Sequence, residues 1–496
     1  MKMNTTALLV TLTVFLNADY EMKRSLLAGL VSVVCAAAAP PDWAQWRGNG
    51  TGTSPERNLP MEWSATRNVR WSVPIPGYGW SCPVITDHRV FVTTAITDHQ
   101  QPPLRQGSGG GSPPPDSIFR WEVHCLDAAT GKNLWKQVAA EHKPTTGSHL
   151  SNTYASETPV TDGERVYVYF GMVGVFAYDL EGKLAWSRDL GAYRTFSNWG
   201  SSSSPVLEGD RLFILCDNDE RSFLIALDTG TGKELWRTTR EERSTWATPV
   251  VWRNAMRTEV VAMGASYIRS YDPATGRELW RLASERSLTA SDESTEIAKP
   301  SDRPPSRGGD GGALGGKTKM SSGGCKSTPV ANKDLIFVGC APKFPGYELG
   351  PMWAVKAGAS GDISVKAGET SSSGVAWYRY GAGPHFSSAL LHEDRLYVFP
   401  SHDRGVLSCF DARTGATIYE GELPGNSGFK ASPCVAGGKI FCTDQRGTTF
   451  IVEAGPRFTL LGKNSVDEMT WSSPALADGA IFQRTVERLY CIGGAR

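Results

Sequence analysis

The chain has 496 residues, with 51 Lys and Arg against 51 Asp and Glu, 40% hydrophobic residues, 53 Gly, 30 Pro and 16 Trp. Formal neutrality provides neither a long basic face for a polyanion nor an acidic solvating tail, which excludes nucleic acid as the main partner. The Gly and Pro content marks a globular chain rich in turns, and its length calls for several domains unless an internal repeat absorbs it.

Two apolar runs open the chain, Thr5 to Leu16 and Ser25 to Ala39, each short for a bilayer span. The second has the three-part form of a secretory signal: Lys23 and Arg24, the apolar run Leu26 to Val34, then Ala36 to Ala39 before Pro40 and Pro41. Residues 1–39 are therefore expected to be a signal peptide cleaved near Ala38 or Ala39, with Met22 as an alternative start. A lipid anchor at Cys35 is disfavoured because Val34 stands where a small residue is wanted. The expected product is exported to the periplasm or cell envelope and is not transmembrane. Nine cysteines remain in it, an odd number, with no CxxCH, no zinc-type CxxC pair and no adjacent Cys-Cys. Cys125, Cys409 and Cys491 occupy matching places in the repeat and read as small core residues.

After an N-terminal extension over residues 40–63, one unit recurs through residues 64–496. Its first half is Ser/Thr-x-Pro-Val followed by a turn and a β-rich run, as in Ser81-Cys82-Pro83-Val84 and Arg89 to Val92. The signature returns at Pro159, Pro205, Pro249, Pro329, Pro433 and Pro474, and a degenerate copy at Ser387-Ser388-Ala389-Leu390 makes eight. Spacings of 44 residues from Pro205 to Pro249 and 41 from Pro433 to Pro474 suit one four-stranded sheet with tight turns. The second half reads apolar-Asp-x-x-Thr-Gly-Lys-x-Leu-Trp, as in Asp127 to Trp135. Its Asp can accept backbone amides while its Gly takes a positive φ, so the chain reverses into a hairpin.

The pattern predicts an all-β fold: an eight-bladed β-propeller of four-stranded antiparallel sheets. Trp135, Trp186, Trp236, Trp280 and Trp377 are expected to wedge between neighbouring blades, with Tyr419 in the same place in its unit. The last unit, Ser472 to Gly493, lacks its outer Trp strand, and Val69-Arg70-Trp71-Ser72-Val73 stands orphaned upstream. Trp71 should complete the eighth blade and remove an open edge. Three low-complexity insertions, 101–117, 284–324 and 356–374, are expected to be mobile surface loops without a core.

These residues resemble the pyrroloquinoline-quinone (PQQ) repeat β-propellers, whose docking motif Ala-x-Asp-x-x-x-Gly-x-x-x-Trp is met at Ala226-Leu227-Asp228 to Trp236. The opening Asp42-Trp43-Ala44-Gln45-Trp46-Arg47-Gly48 is similar to the start of exported PQQ-like propellers common in Planctomycetes. The superfamily includes quinoprotein alcohol dehydrogenases and the non-catalytic envelope scaffold BamB. The resemblance implies either a scaffold that binds envelope or secreted proteins or a PQQ-dependent oxidoreductase. In the enzymes PQQ lies on the axis against a vicinal disulfide, with calcium held by Glu and Asn and an Asp as base. No such ligand can be carried over onto this chain, so no catalytic residue, metal or cofactor is expected and a monomeric scaffold leads, with PQQ and calcium as the alternative.

The position three before each unit's Pro should approach the channel mouth. Its occupants are Trp80, Ser156, Ser202, Trp246, Lys326, Phe386, Lys430 and Trp471. Aromatic rings beside two lysines would suit a flat anion or a glycan, so Trp80, Trp246, Lys326, Phe386, Lys430 and Trp471 are candidate ligand contacts, against the alternative of a plugged channel. His385 and His402 read as turn residues.

Overall fold

The computed structural model describes residues 43–98, 102–103, 110–284, 325–339, 350–401 and 404–494. The expected signal peptide, most of the 284–324 insertion and His402 lie outside them. Eight antiparallel sheets follow one another as blades. Blade 1 comprises Val84–Thr86, Arg89–Ile96, Phe119–Asp127 and Asn133–His142. The innermost strands of blades 2 to 7 are Val160–Thr161, Val206–Glu208, Val250–Arg253, Val330–Ala331, Leu390–His392 and Cys434–Ala436. Blade 8 takes Ala475–Ala477, Ala480–Arg484 and Arg488–Ile492 from the end of the chain and Val69–Pro74 from its start, with Trp71 opposite Cys491. The closure expected from the orphaned Trp71 is therefore present. No helix among the described residues is long and apolar enough to cross a membrane.

Strand alternation explains where the core sits. Successive side chains point to opposite faces, so Val90 and Val92 pack towards blade 8 while Phe91 and Ala95 pack towards blade 2. Likewise Leu212 and Ile214 face blade 2, and Phe213 and Leu215 face blade 4. The apolar core is thus distributed between blades rather than gathered at the centre. Cys125, Cys409 and Cys491 lie buried in these layers, as their repeat positions suggested.

The outer indoles join one blade to the next. In the repeat hairpin, Asp228 Oδ1 accepts from the backbone N–H of Thr231 at 2.8 Å and from its hydroxyl at 2.6 Å. The turn then presents Gly232 at φ +69°, where an added Cβ would stand 2.5 Å from the ring of Trp186. Trp186 lies flush on that turn and donates Nε1–H to the Thr229 carbonyl at 2.8 Å. The same bond runs from Trp71 to Ala128, Trp135 to Leu180, Trp236 to Pro273 and Trp377 to Ala412.

Two copies depart from the rule. Trp280 is fully buried between blades 4 and 5 but donates to the Glu259 carboxylate at 2.7 Å within its own blade. Blade 5 has Lys356-Ala357-Gly358 in place of the Asp-x-x-Thr-Gly turn, and the bridging bond there comes from Trp252 to the Asn332 carbonyl at 2.6 Å. Tyr419 packs on Phe458 at 6.0 Å without an indole N–H to donate.

The insertions correct an expectation. Gly361–Asp362 adds a fifth, parallel strand to the edge of blade 4, and Ile363 and Val365 are buried beside Trp280. Gly111–Ser112 pairs with Ser148–His149. Low complexity hid two apolar residues at strand spacing, and those suffice to anchor the 356–374 segment.

The extension passes along the inner strands. Trp43 bridges Ile85, the Ala44 carbonyl accepts from Thr161, the Gly52 carbonyl accepts from Val435, and Thr53–Ser54 pairs with Val435 and Ala436. Trp63 is then buried among blade 7 and 8 residues, where the outer strand of blade 7 carries Gly462 opposite Ile451 instead of an indole. Asn464 holds that stretch, accepting from Trp63 N–H at 2.9 Å and donating to the Met61 carbonyl at 3.0 Å.

Trp71→Ala is expected to lower stability by ~3–5 kcal/mol, read from the denaturant midpoint, because it empties the closure between blades 8 and 1. A loss below about 1 kcal/mol would mean that the ring does not depend on this wedge.

Candidate functional site: an axial cavity

Because the apolar faces are buried between blades, the axis is lined by the starts of the inner strands. The residue before each repeat's proline position donates its backbone N–H to the side chain of its counterpart in the next blade. The bonds run from Cys82 to Thr158 at 2.9 Å, Thr158 to Ser204 at 2.9 Å, Ser204 to Thr248 at 3.1 Å and Thr248 to Thr328 at 3.1 Å. They continue from Thr328 to Ser388 at 2.8 Å, Ser388 to Ser432 at 2.9 Å, Ser432 to Ser473 at 2.8 Å and Ser473 to the Cys82 sulfur at 3.2 Å. The circuit closes on itself. A proline holds the preceding residue in extended backbone, which presents the N–H sideways to the neighbouring blade.

Above this belt is a cavity of about 220 Å³. All eight positions singled out three residues before the repeat prolines line it, including Trp80, Trp246, Lys326, Phe386, Lys430 and Trp471. The structure thus brings every candidate contact to one cavity. Trp80 and Trp471 stack at 5.6 Å with 15° between their planes. Their indole N–H groups bond outward, to the Ser151 carbonyl at 3.0 Å and Gln445 Oε1 at 3.1 Å, which leaves ring surface for the cavity. Phe386 lies between two ammonium groups, 5.0 Å from Lys326 Nζ and 3.0 Å from Lys430 Nζ, and Lys430 Nζ also stands 5.3 Å from the Trp471 ring. Lys326 also stands 5.6 Å from the ring of Trp246. His385, read as a turn residue, is buried edge-on to Phe386 at 4.5 Å.

Besides the belt residues, sequence reasoning missed five lining residues: Trp46, His149, Ser151, Asn152 and Trp199. Trp46 enters from the extension, which pairs three or four residues beyond the belt positions, and so underlies the cavity. Arg47 beside it is buried, its Cζ 5.3 Å over the Trp46 ring, and donates to the Pro433 carbonyl at 3.2 Å. His149, Asn152 and Trp199 come from mouth loops, with His149 edge-on to Trp199 at 5.5 Å. The Gly111–Ser112 pairing with Ser148–His149 supports that wall, so part of the first insertion builds the mouth. No repeat signal marks these loops. Trp46 was legible only as part of an opening motif of unassigned use.

Glu157 is anomalous. The seven equivalent positions hold Ser81, Ser203, Ala247, Ser327, Ser387, Ala431 and Ser472, all small. Its buried carboxylate accepts the Ser201 hydroxyl at 2.5 Å, and burial pushes the carboxyl up to about 7. Ser201 belongs to the loop that carries Trp199, which Asn152 ties down through the Trp199 and Ser201 carbonyls at 2.9 and 3.2 Å.

Calcium-bound PQQ does not fit these residues. No Asp or Glu lines the cavity, and the amide nitrogen of Asn152 donates to backbone. Among the described residues no group of three or more His, Cys, Asp or Glu side chains could hold a metal. The arrangement offers stacking surface, positive charge and hydroxyls.

Residues 120–330 match the family model described as outer membrane protein assembly factor BamB. A search of curated sequences finds no match. Among solved structures, quinohemoprotein alcohol dehydrogenase from Comamonas testosteroni aligns with a TM-score of 0.52 at 13% identity, over 93% of this chain and 82% of that one. BamB from Moraxella catarrhalis aligns at 0.47 and 12% identity, over 80% of this chain and 98% of that one. At 13% identity the likeness to the dehydrogenase speaks for the propeller fold alone. The repeats, the family match and the ring together bear out the resemblance to PQQ-repeat propellers.

The raised Glu157 pKa implies a pH-dependent stability. The native state binds this proton more tightly than the unfolded chain, so the contribution is full below about 4.5 and is lost as pH rises through about 7. The loss amounts to about 3 kcal/mol. Glu157→Gln should remove this slope, so the stability of the variant relative to wild type should rise between pH 5 and 8 in denaturant titrations. A pH-independent difference would contradict the assignment.

Proposed function

We propose that this PQQ-repeat propeller is an exported, monomeric, non-enzymatic binding protein whose recognition element is the axial cavity, and that its ligand is a small flat anion. One observation carries the reading: two lysines, Phe386 and a pair of stacked indoles line one cavity, with Lys430 Nζ 5.3 Å from Trp471, and no carboxylate lines it. Stacking holds a flat body, the ammonium groups select negative charge, and the partly dry setting strengthens both. Export is supported by the signal-like N-terminus and by Cys325, beside Lys326, which is disulfide-bonded.

A second reading, a scaffold for envelope proteins, is favoured by the family match over residues 120–330. The two are compatible, since blade edges and loops remain available for protein contact while the axis holds a ligand.

The test uses tryptophan fluorescence with PQQ as a flat tricarboxylate probe. Saturable quenching is expected, unaffected by EDTA and weakened at least 10-fold in Lys326→Met/Lys430→Met, with no dye-linked dehydrogenase activity when PQQ and calcium are supplied. Absence of quenching at high probe concentration would overturn the ligand reading, and dehydrogenase activity would overturn the non-enzymatic one.

A further inference from the structure

The belt around the axis has an accounting left over. Each hydroxyl in it accepts one backbone N–H, and each hydroxyl also has a proton to give. Thr158 and Ser473 flank the Cys82 sulfur, which can take theirs. The hydroxyls of Ser204, Thr248, Thr328, Ser388 and Ser432 donate to no acceptor among the described residues, although all five residues are at least nine-tenths buried. All five line the cavity. They form a continuous arc through blades 3 to 7, the sector whose mouth carries Lys326, Phe386 and Lys430. The remaining sector, blades 8, 1 and 2, presents the Cys82 sulfur below the stacked Trp80 and Trp471.

The hydroxyls with a proton to give are thus confined to one sector of the cavity, and Lys430 stands where the two sectors meet, 5.3 Å from the Trp471 ring. We propose that the cavity orients its ligand, taking a single oxyanion head (phosphate, sulfate or carboxylate) on the hydroxyl arc beneath Lys326 and Lys430, with a flat apolar body against Trp80, Trp471 and Trp46. This rests on the reading of the cavity as a ligand site and adds the head-group chemistry and its direction. Buried hydroxyls require acceptors, and an oxyanion supplies several lone pairs at one point, where charge-assisted O–H···O⁻ bonds are the strong kind. A neutral body lacking such a head leaves the arc to solvent. The guanidinium groups of Arg47 and Arg484 are not part of the lining, so they add positive potential without competing for the head.

Calorimetry on the full protein with 1-naphthyl phosphate, 1-naphthol and inorganic phosphate separates the parts. Naphthyl phosphate should bind at least 10-fold more tightly than either fragment. Thr248→Val/Thr328→Val removes two donors at nearly constant shape and should weaken naphthyl phosphate about 10- to 100-fold while leaving naphthol unchanged. Those valines also remove two acceptors from the belt, so Thr248→Ser/Thr328→Ser, which keeps both hydroxyls, serves as the companion and should retain affinity. Equal binding of naphthol and naphthyl phosphate to wild type, or equal loss of both in the valine variant, would overturn the oriented-head proposal while leaving a cavity that binds flat molecules. Binding of inorganic phosphate alone, with the naphthyl body adding nothing, would overturn the body placement. Failure of all three probes would overturn both this proposal and the reading beneath it.

Discussion

Eight backbone N–H groups, each donated sideways to the next blade, hold the centre of this molecule together. A propeller buries its hydrophobic faces between sheets, so nothing apolar gathers where the sheets converge. The inner edge of each sheet would otherwise present unpaired polar backbone to the axis, and buried unpaired N–H groups cost about 1–3 kcal/mol each. A small hydroxyl, or in blade 1 the Cys82 sulfur, before each repeat proline position removes that cost and links every blade to the next at fixed height. The price of the solution is an axis that stays polar and cannot close into a packed core.

This separates two classes of residue that sequence motifs tend to merge. The indoles of the recognised repeat, Trp71, Trp135, Trp186, Trp236 and Trp377, sit on outer strands and bond to carbonyls of the adjacent turn. They maintain the ring and touch nothing on the axis. The indoles Trp46, Trp80, Trp199, Trp246 and Trp471 line the cavity and belong to no repeat signature. Family likeness resides in the first class, and chemical individuality in the second. That is why a shared fold leaves scaffold and enzyme undecided.

Much of the fold was legible because one unit recurs eight times: a pattern of Pro, Asp, Gly and Trp at set offsets constrains turns and strand edges independently of context. The inner positions were legible too, since counting back three residues from each proline reaches the cavity wall in every blade. What escaped reading is what the repeat does not encode. Trp199, His149 and Asn152 reach the mouth from loops whose course depends on tertiary contacts such as Gly111 pairing with His149. Trp280 kept its motif but lost its partner turn, because the altered turn lies in a different blade and Ile363 arrives from an insertion dismissed on composition. The belt hydroxyls were visible as Ser or Thr before Pro, yet their reciprocal bonding is a property of the closed circle and of no single unit.

The pairing of Val69–Pro74 with Arg488–Ile492 joins residues about 420 positions distant along the chain. A polypeptide that emerges N-terminus first must hold the Val69–Pro74 strand unpaired until Arg488–Ile492 has been synthesised. Until then blade 8 does not exist, and the faces of blades 1 and 7 stay wet. Such distant contacts carry a large loop-closure entropy and slow the search for the native state. The assembly is thus a latch sealed at the final moment, and any truncation that spares seven-eighths of the chain still leaves it without a clasp.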